Sequence, residues 1–183
     1  MTRNTTSRTL HDLGLSAWFG GTLANAVALN PAAGAASDPS DRGTVVNEGW
    51  DRWTPVNLVA IGAHLVGAVG QLAGNQERIS AQPEVRAMSL VKTALTAAAL
   101  GATAYSRVLG KKVSVEREVP VASGTSPTFE TPDEVASAQK QLRQLQWVIP
   151  ALTGALIAVS ALAGEQQRDS DDSRKGVLAR LRP

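Results

Sequence analysis

There is no cysteine in this sequence. Its absence excludes disulfides, lipoprotein-type anchoring, thiolate catalysis and cysteine-ligated zinc or iron–sulfur sites. Histidine and methionine are almost as scarce, with two of each, so no methionine-rich or multi-histidine path for a soft metal can be assembled. Also missing are a phosphate-cradling glycine loop, an HExxH helix, a placeable Ser-His-Asp arrangement and paired carboxylates within the apolar stretches. The chain is therefore read as non-catalytic, with no cofactor expected. Its formal net charge of +2 points to no particular partner, and nucleic acid is not expected to be one.

What the chain lacks most informatively is charge over long windows. Leu13 to Ser37, Trp53 to Gln76 and Gln144 to Gly164 contain no charged residue. Ala87 to Gly110 contains only Lys92 and Arg107, each a few residues from an end, where a long basic side chain can snorkel to the headgroups. A helix needs about 20 largely apolar residues to cross the hydrocarbon core, and all four windows reach that length. A soluble Ala-rich bundle would instead place charge on its wet face every third or fourth residue. The mean hydropathy of −0.07 hides this segregation, because the charges crowd between the windows. The expected fold is all-α: an integral membrane bundle of four transmembrane helices with left-handed antiparallel packing. Its spans are about 11–34, 54–74, 87–110 and 144–164, within a transmembrane domain of 11–164.

Residues 1–10 read as a polar, basic leader and 165–183 as a polar, basic tail. The leader and first apolar stretch could also pass for a secretory signal peptide, but Asp12, Gly20, Gly21 and Asn25 interrupt it. Ser37 to Arg52 reads as a connection that begins turn-rich with SDPSDRG. Lys111 to Val121 alternates valine with polar residues, which suits a short strand. Thr131-Pro132-Asp133-Glu134 reads as a helix start with Thr131 as N-cap, opening one helix from Pro132 to Gly164 that extends outside the membrane over 132–143 and kinks at Pro150. In the tail, Val177, Leu178 and Leu181 beside Arg174, Lys175, Arg180 and Arg182 suit either a basic amphipathic segment lying on anionic lipid or a disordered polar tail. Trp50, Trp53 and Trp147 flank spans where interfacial anchors are expected.

Polar residues recur at seven-residue spacing inside the spans: His11, Trp18 and Asn25 in the first, and Asn57, His64 and Gln71 in the second. Ser89, Thr96 and Thr103 do so in the third, and Gln146, Thr153 and Ser160 in the fourth. Seven residues are two helical turns with a drift of about 20°, so each set lines one face. Polar groups in hydrocarbon turn toward the bundle interior, so the sets should form an internal seam. Antiparallel pairing of the first two spans would bring Asn25 toward Asn57, Trp18 toward His64 and His11 toward Gln71. His64 falls near the middle of its span and His11 at the membrane edge, a separation unsuited to a bis-histidine haem pair.

LHDLGLSAWFGG, with histidine at its head and Trp-x-Gly-Gly seven residues on, resembles the first span of the small four-helix families related to copper-resistance protein D and transmembrane protein 205. The resemblance covers about one helix in four. It implies a helical membrane domain linked to metal tolerance or of unassigned role, and bears on His11, Trp18, Gly20 and Gly21 alone. Two functions are expected to compete. One is a scaffold or accessory subunit acting by helix packing, with the lipid bilayer and other membrane proteins or a second copy as partners. The other is a metal-, haem- or quinone-handling protein centred on His64 and His11, the only candidate metal ligands. Basic residues number nine on the side of the termini and the connection over 75–86 against seven on the other, which favours a multi-pass plasma-membrane protein with both termini cytoplasmic.

Overall fold

A computed structural model describes residues 4–115 and 119–180. Arg3, Arg117, Leu181 and Arg182, which entered the charge balance and the amphipathic tail, lie outside them. The described chain is almost entirely helical. The helices are α1 (Thr5–Ala24), α2 (Asn30–Ala32), α3 (Pro39–Gly74), α4 (Gln76–Ala81), α5 (Pro83–Val115) and α6 (Asp133–Arg180). A small antiparallel hairpin, β1 (Val121–Ser123) and β2 (Ser126–Pro127), fills the third connection.

Local chemistry sets the helix ends. Asp38 caps α3 by accepting from the Ser40 amide at 2.8 Å, with Pro39 in the first helical position. Residues 39–52 are therefore helical, and the expected turn-rich connection shrinks to residues 36–38. SDPSDRG carries turn residues, but Asp-Pro-Ser is also a helix start, and here that reading wins. Asn25–Leu29 forms a π-helical turn between α1 and α2. It lies just before Pro31, whose ring lacks an N–H and would clash with the carbonyl four residues back, so the turn widens there. Gln82 accepts from the Arg86 amide and places Pro83 at the first position of α5.

α6 starts within one residue of the expected position and is helical over 133–143, but Thr131 plays a different part from that of its cap. The Pro132 carbonyl accepts the first helical bond, from Ala136, and Thr131 caps nothing. Its hydroxyl donates to the Pro120 carbonyl at 2.6 Å and accepts from the Thr128 amide at 2.8 Å. It closes the base of the hairpin. Lys111 to Val115 continue α5 rather than forming a strand, and the strand falls at Val121–Ser123 instead. Past Pro150 the helix runs unbroken to Arg180, so the expected tail is helical along most of its backbone.

Three helices, Pro39–Gly74, Pro83–Ser114 and Asp133–Glu165, are long and apolar enough to cross a membrane. Little of each apolar stretch is buried within the protein. Large apolar side chains such as Leu58, Val59, Val66, Leu90 and Leu162 stand exposed on the outer surface, as a lipid-facing wall requires. This is a membrane protein. α1 holds Arg8, His11 and Asp12 in its first half and is not among the three.

The helices pack as two pairs, α1 on α3 and α5 on α6, with α1 crossing α6 to join them. α3 and α5 scarcely meet. Both pairs are antiparallel: Gly14 abuts His64 while Gly67 abuts His11, and Tyr105 bonds Gln141 while Lys112 faces Glu134. Leu15, Trp18, Ala99, Ile149 and Leu156 form the central core where α1, α5 and α6 converge. A second cluster, Leu109, Val113, Val135 and Ala138, joins the C-terminal end of α5 to the start of α6 beside the hairpin.

Thr131→Ala should release the hairpin, because it leaves the Thr128 amide without its acceptor. We expect about 1 to 3 kcal/mol lost locally, read as faster hydrogen exchange over residues 119–131, with Thr131→Ser close to native. Unchanged exchange in the alanine variant would show that the hydroxyl does not hold the loop.

Candidate functional site

α1 and α3 approach so closely that each helix's backbone lies against a glycine of the other. A Cβ added at Gly14 would collide with the Ala60 carbonyl and the His64 amide. One added at Gly67 would collide with the Ser7 carbonyl and the His11 amide. The contact is reciprocal, and the sequence carries its signature. Asn4, His11, Gly14 and Gly21 are spaced seven, three and seven residues apart, and so are Asn57, His64, Gly67 and Gly74. This repeat could have been read from the sequence; attention to the seven-residue polar spacing alone missed it. Beyond the crossing, the Asn4 amide donates to the Gly70 carbonyl at 3.1 Å and fits against Gly74, while Gly21 lies under the Trp53 indole.

At the crossing the two imidazoles meet. The His11 and His64 ring centres are 4.5 Å apart with planes tilted by 48°, and Trp18 lies 6.0 Å from His64. All three side chains are 0 to 1% exposed. The expected separation of the histidines in depth is thus corrected. The glycine contacts set α1 about one turn away from the expected register, which places His11 beside Gly67 and His64 rather than opposite Gln71. His11 Nδ1 donates to Asp12 Oδ1 at 2.8 Å, which leaves Nε2 as the ring's acceptor. His64 Nε2 pairs with Thr96 Oγ1 at 3.3 Å. His64 Nδ1, Trp18 Nε1 and Gln71 Nε2 are buried without a partner.

Because α3 and α5 splay apart, a cavity of about 700 Å³ opens between them, with Arg78 and Ile79 of α4 in its wall. Leu65, Val69, Leu72, Met88 and Leu100 supply much of its apolar wall, and His11, Gln71, Lys92 and Thr96 line it as polar groups. Its size and mixed lining are those of a small-molecule site. Among the described residues Lys92 forms no ion pair, and no group of three or more histidine, aspartate or glutamate side chains could hold a metal.

The rest of the expected seam also turns inward, with different partners. Asn25 and Asn57 are buried but not bonded to each other: the Asn25 amide donates to Gly21 of its own helix at 2.9 Å, and Asn57 Oδ1 has no partner. Thr153 is fully buried and donates to the Ile149 carbonyl. The tryptophans divide. Trp147 is 51% exposed, as an interfacial anchor should be. Trp50 and Trp53 instead turn inward, the first donating to Asn30 Oδ1 at 3.1 Å and the second covering Gly21. The interior offered Trp50 an acceptor and Trp53 a glycine to cover. Asn30 escaped the sequence reading entirely. It is 3% exposed and also donates to Gln146 Oε1 at 2.9 Å and accepts from the Gly124 amide. It therefore ties α2, α3, α6 and the hairpin together.

Gly67→Ala should lower the unfolding stability in detergent by about 1 to 3 kcal/mol, because the new methyl meets backbone that cannot yield. Gly62→Ala, where nothing lies within 4 Å, should leave stability unchanged or raise it. Equal thermal unfolding of the two variants would contradict the close crossing.

No known protein family, no characterised protein and no solved structure matches this chain, so the function of the site rests on its own geometry.

Proposed function

We propose that this protein is a four-span membrane protein that holds a small amphiphilic molecule, of the quinone or lipid type, between α3 and α5. The cavity of about 700 Å³ carries this reading, because it combines an apolar wall with polar groups from α1, α3 and α5. The reading is of a binding protein rather than an enzyme. It favours an organic ligand over a metal, since the paired imidazoles have only Asp12 beside them and that carboxylate is engaged by His11.

The fourth span is α1. It lacks charge from Leu13 onward, packs along α3, and turns His11, Trp18 and Asn25 inward. Antiparallel neighbours with seven-residue seams suit left-handed packing. The bias in basic residues supports a plasma-membrane location with both termini in the cytoplasm.

The absence of native cysteine makes the topology easy to test. A cysteine at Phe129, which is fully exposed in the third connection, should react with an impermeant thiol reagent in intact cells. Cysteines at Thr6 and Gln76 should react only after permeabilisation. Thr6 and Gln76 reacting on opposite sides would refute α1 as a span. For the ligand, thermal unfolding in uncharged detergent should rise with a quinone analogue or a single-chain lipid. Ala97→Trp, placed in the cavity wall, should abolish that rise without lowering the ligand-free midpoint. If no amphiphile raises the midpoint, the binding reading fails, and the scaffold reading, in which the outer helix faces pack on another membrane protein, takes its place.

A further inference from the structure

We infer that the amphiphile carries an anionic head group and that Lys92 is the residue that recognises it. The inference rests on the proposed cavity function and narrows it to one chemical class. Lys92 lies nine residues into α5, about 13 Å along the helix axis from Pro83. Lys92 is close enough to the end of the apolar stretch for its ammonium to snorkel, yet it also lines the cavity, where a cation without a close partner favours an anionic ligand. Asp12 attracts Lys92 but is bonded to His11 and forms no ion pair with it, while close charge pairs elsewhere join Asp51 to Arg107, Glu134 to Lys112 and Glu48 to Arg52.

The other polar groups of the wall point to the same chemistry. Gln71 Nε2 is a buried donor without an acceptor. Thr93 already spends its hydroxyl proton on the Ser89 carbonyl and Thr96 pairs with His64. The buried, unpartnered atom of the wall is thus the donor at Gln71, which calls for an acceptor. Arg78 adds a second cation to the lining, against Glu84 as the only acid. A head rich in acceptor oxygens and bearing negative charge, a carboxylate or a phosphate, satisfies both Lys92 and Gln71. The apolar wall of Leu65, Val69, Leu72 and Leu100 takes the chain. A neutral quinone would satisfy Gln71 but leave the ammonium unpaired.

Four probes of equal chain length separate the possibilities: oleate, methyl oleate, oleoyl lysophosphatidate and oleoyl lysophosphatidylcholine. Each is titrated against the full-length protein in uncharged detergent and read by displacement of a fluorescent fatty acid. Oleate or the lysophosphatidate should bind at least tenfold more tightly than both the methyl ester and the zwitterionic lipid. The tighter of the two anions identifies a free fatty acid or a phosphate-headed lipid as the natural source. Lys92→Met should erase the preference for anions while retaining the ester, and Lys92→Arg should keep it. Equal binding of oleate and its ester to the native protein would overturn the anion inference and leave the cavity function standing. Binding of none of the four would overturn both. A preference for anions that survives in Lys92→Met would move recognition away from Lys92 and end the inference as stated.

Discussion

The structure depends on two glycines that let two helix backbones touch. Without side chains at Gly14 and Gly67, α1 lies against the backbone of α3 at the level of the histidines. In a bilayer there is little hydrophobic drive to bring helices together, since lipid tails are as apolar as leucine, and close backbone approach is a main source of attraction. That approach fixes the register of the first pair. The register brings the imidazoles to 4.5 Å and carries Trp18 into the core with Leu15. With α1 held this way, α6 packs across it, and α5 follows α6 rather than α3. The opening between α3 and α5 is the far end of that chain of constraints.

Much of the architecture was legible because hydrocarbon imposes a severe rule on sequence. Charge-free windows mark helices regardless of propensity, and polar residues inside them must turn inward, so the burial of His11, Trp18, Asn25, Asn57 and His64 followed from spacing. Partners were not legible. Seven-residue spacing fixes a face but leaves a one-turn ambiguity in how two antiparallel faces meet, and only the steric contacts of Gly14 and Gly67 resolve it. The roles of residues at helix ends outside the membrane are ambiguous for a different reason. Asp-Pro-Ser before Asp41 and Thr-Pro-Asp-Glu at 131–134 each support both a turn and a cap, and the surrounding packing decides. Asp38 became a cap. Thr131 became a clasp for the hairpin.

Asn30 shows how much one buried amide can organise. It is the only residue of the short α2 to be buried. Its amide, carbonyl side-chain oxygen and backbone carbonyl each reach a different element. In a low-dielectric setting an amide with every polar atom engaged is far cheaper than one left partly bonded, so α2, the Trp50 turn of α3, Gln146 of α6 and the hairpin are held to one another jointly. This network lies at the opposite end of the bundle from the cavity. One end of the molecule is cross-linked by polar contacts while the other is left open.

The repeated pattern in α1 and α3 places unlike side chains at matching positions on either side of the crossing. Superposing the two patterns sets Trp18 in the place of Gln71. Where the indole stands, the interior is filled to 0% exposure; where the smaller, polar glutamine stands, the wall opens. Leu100 lines the opening and also packs against the core layer of Leu15, Trp18, Ala99, Ile149 and Leu156. A molecule lodged in the opening would touch α3 and α5 at once, and so would join two helices that otherwise scarcely meet.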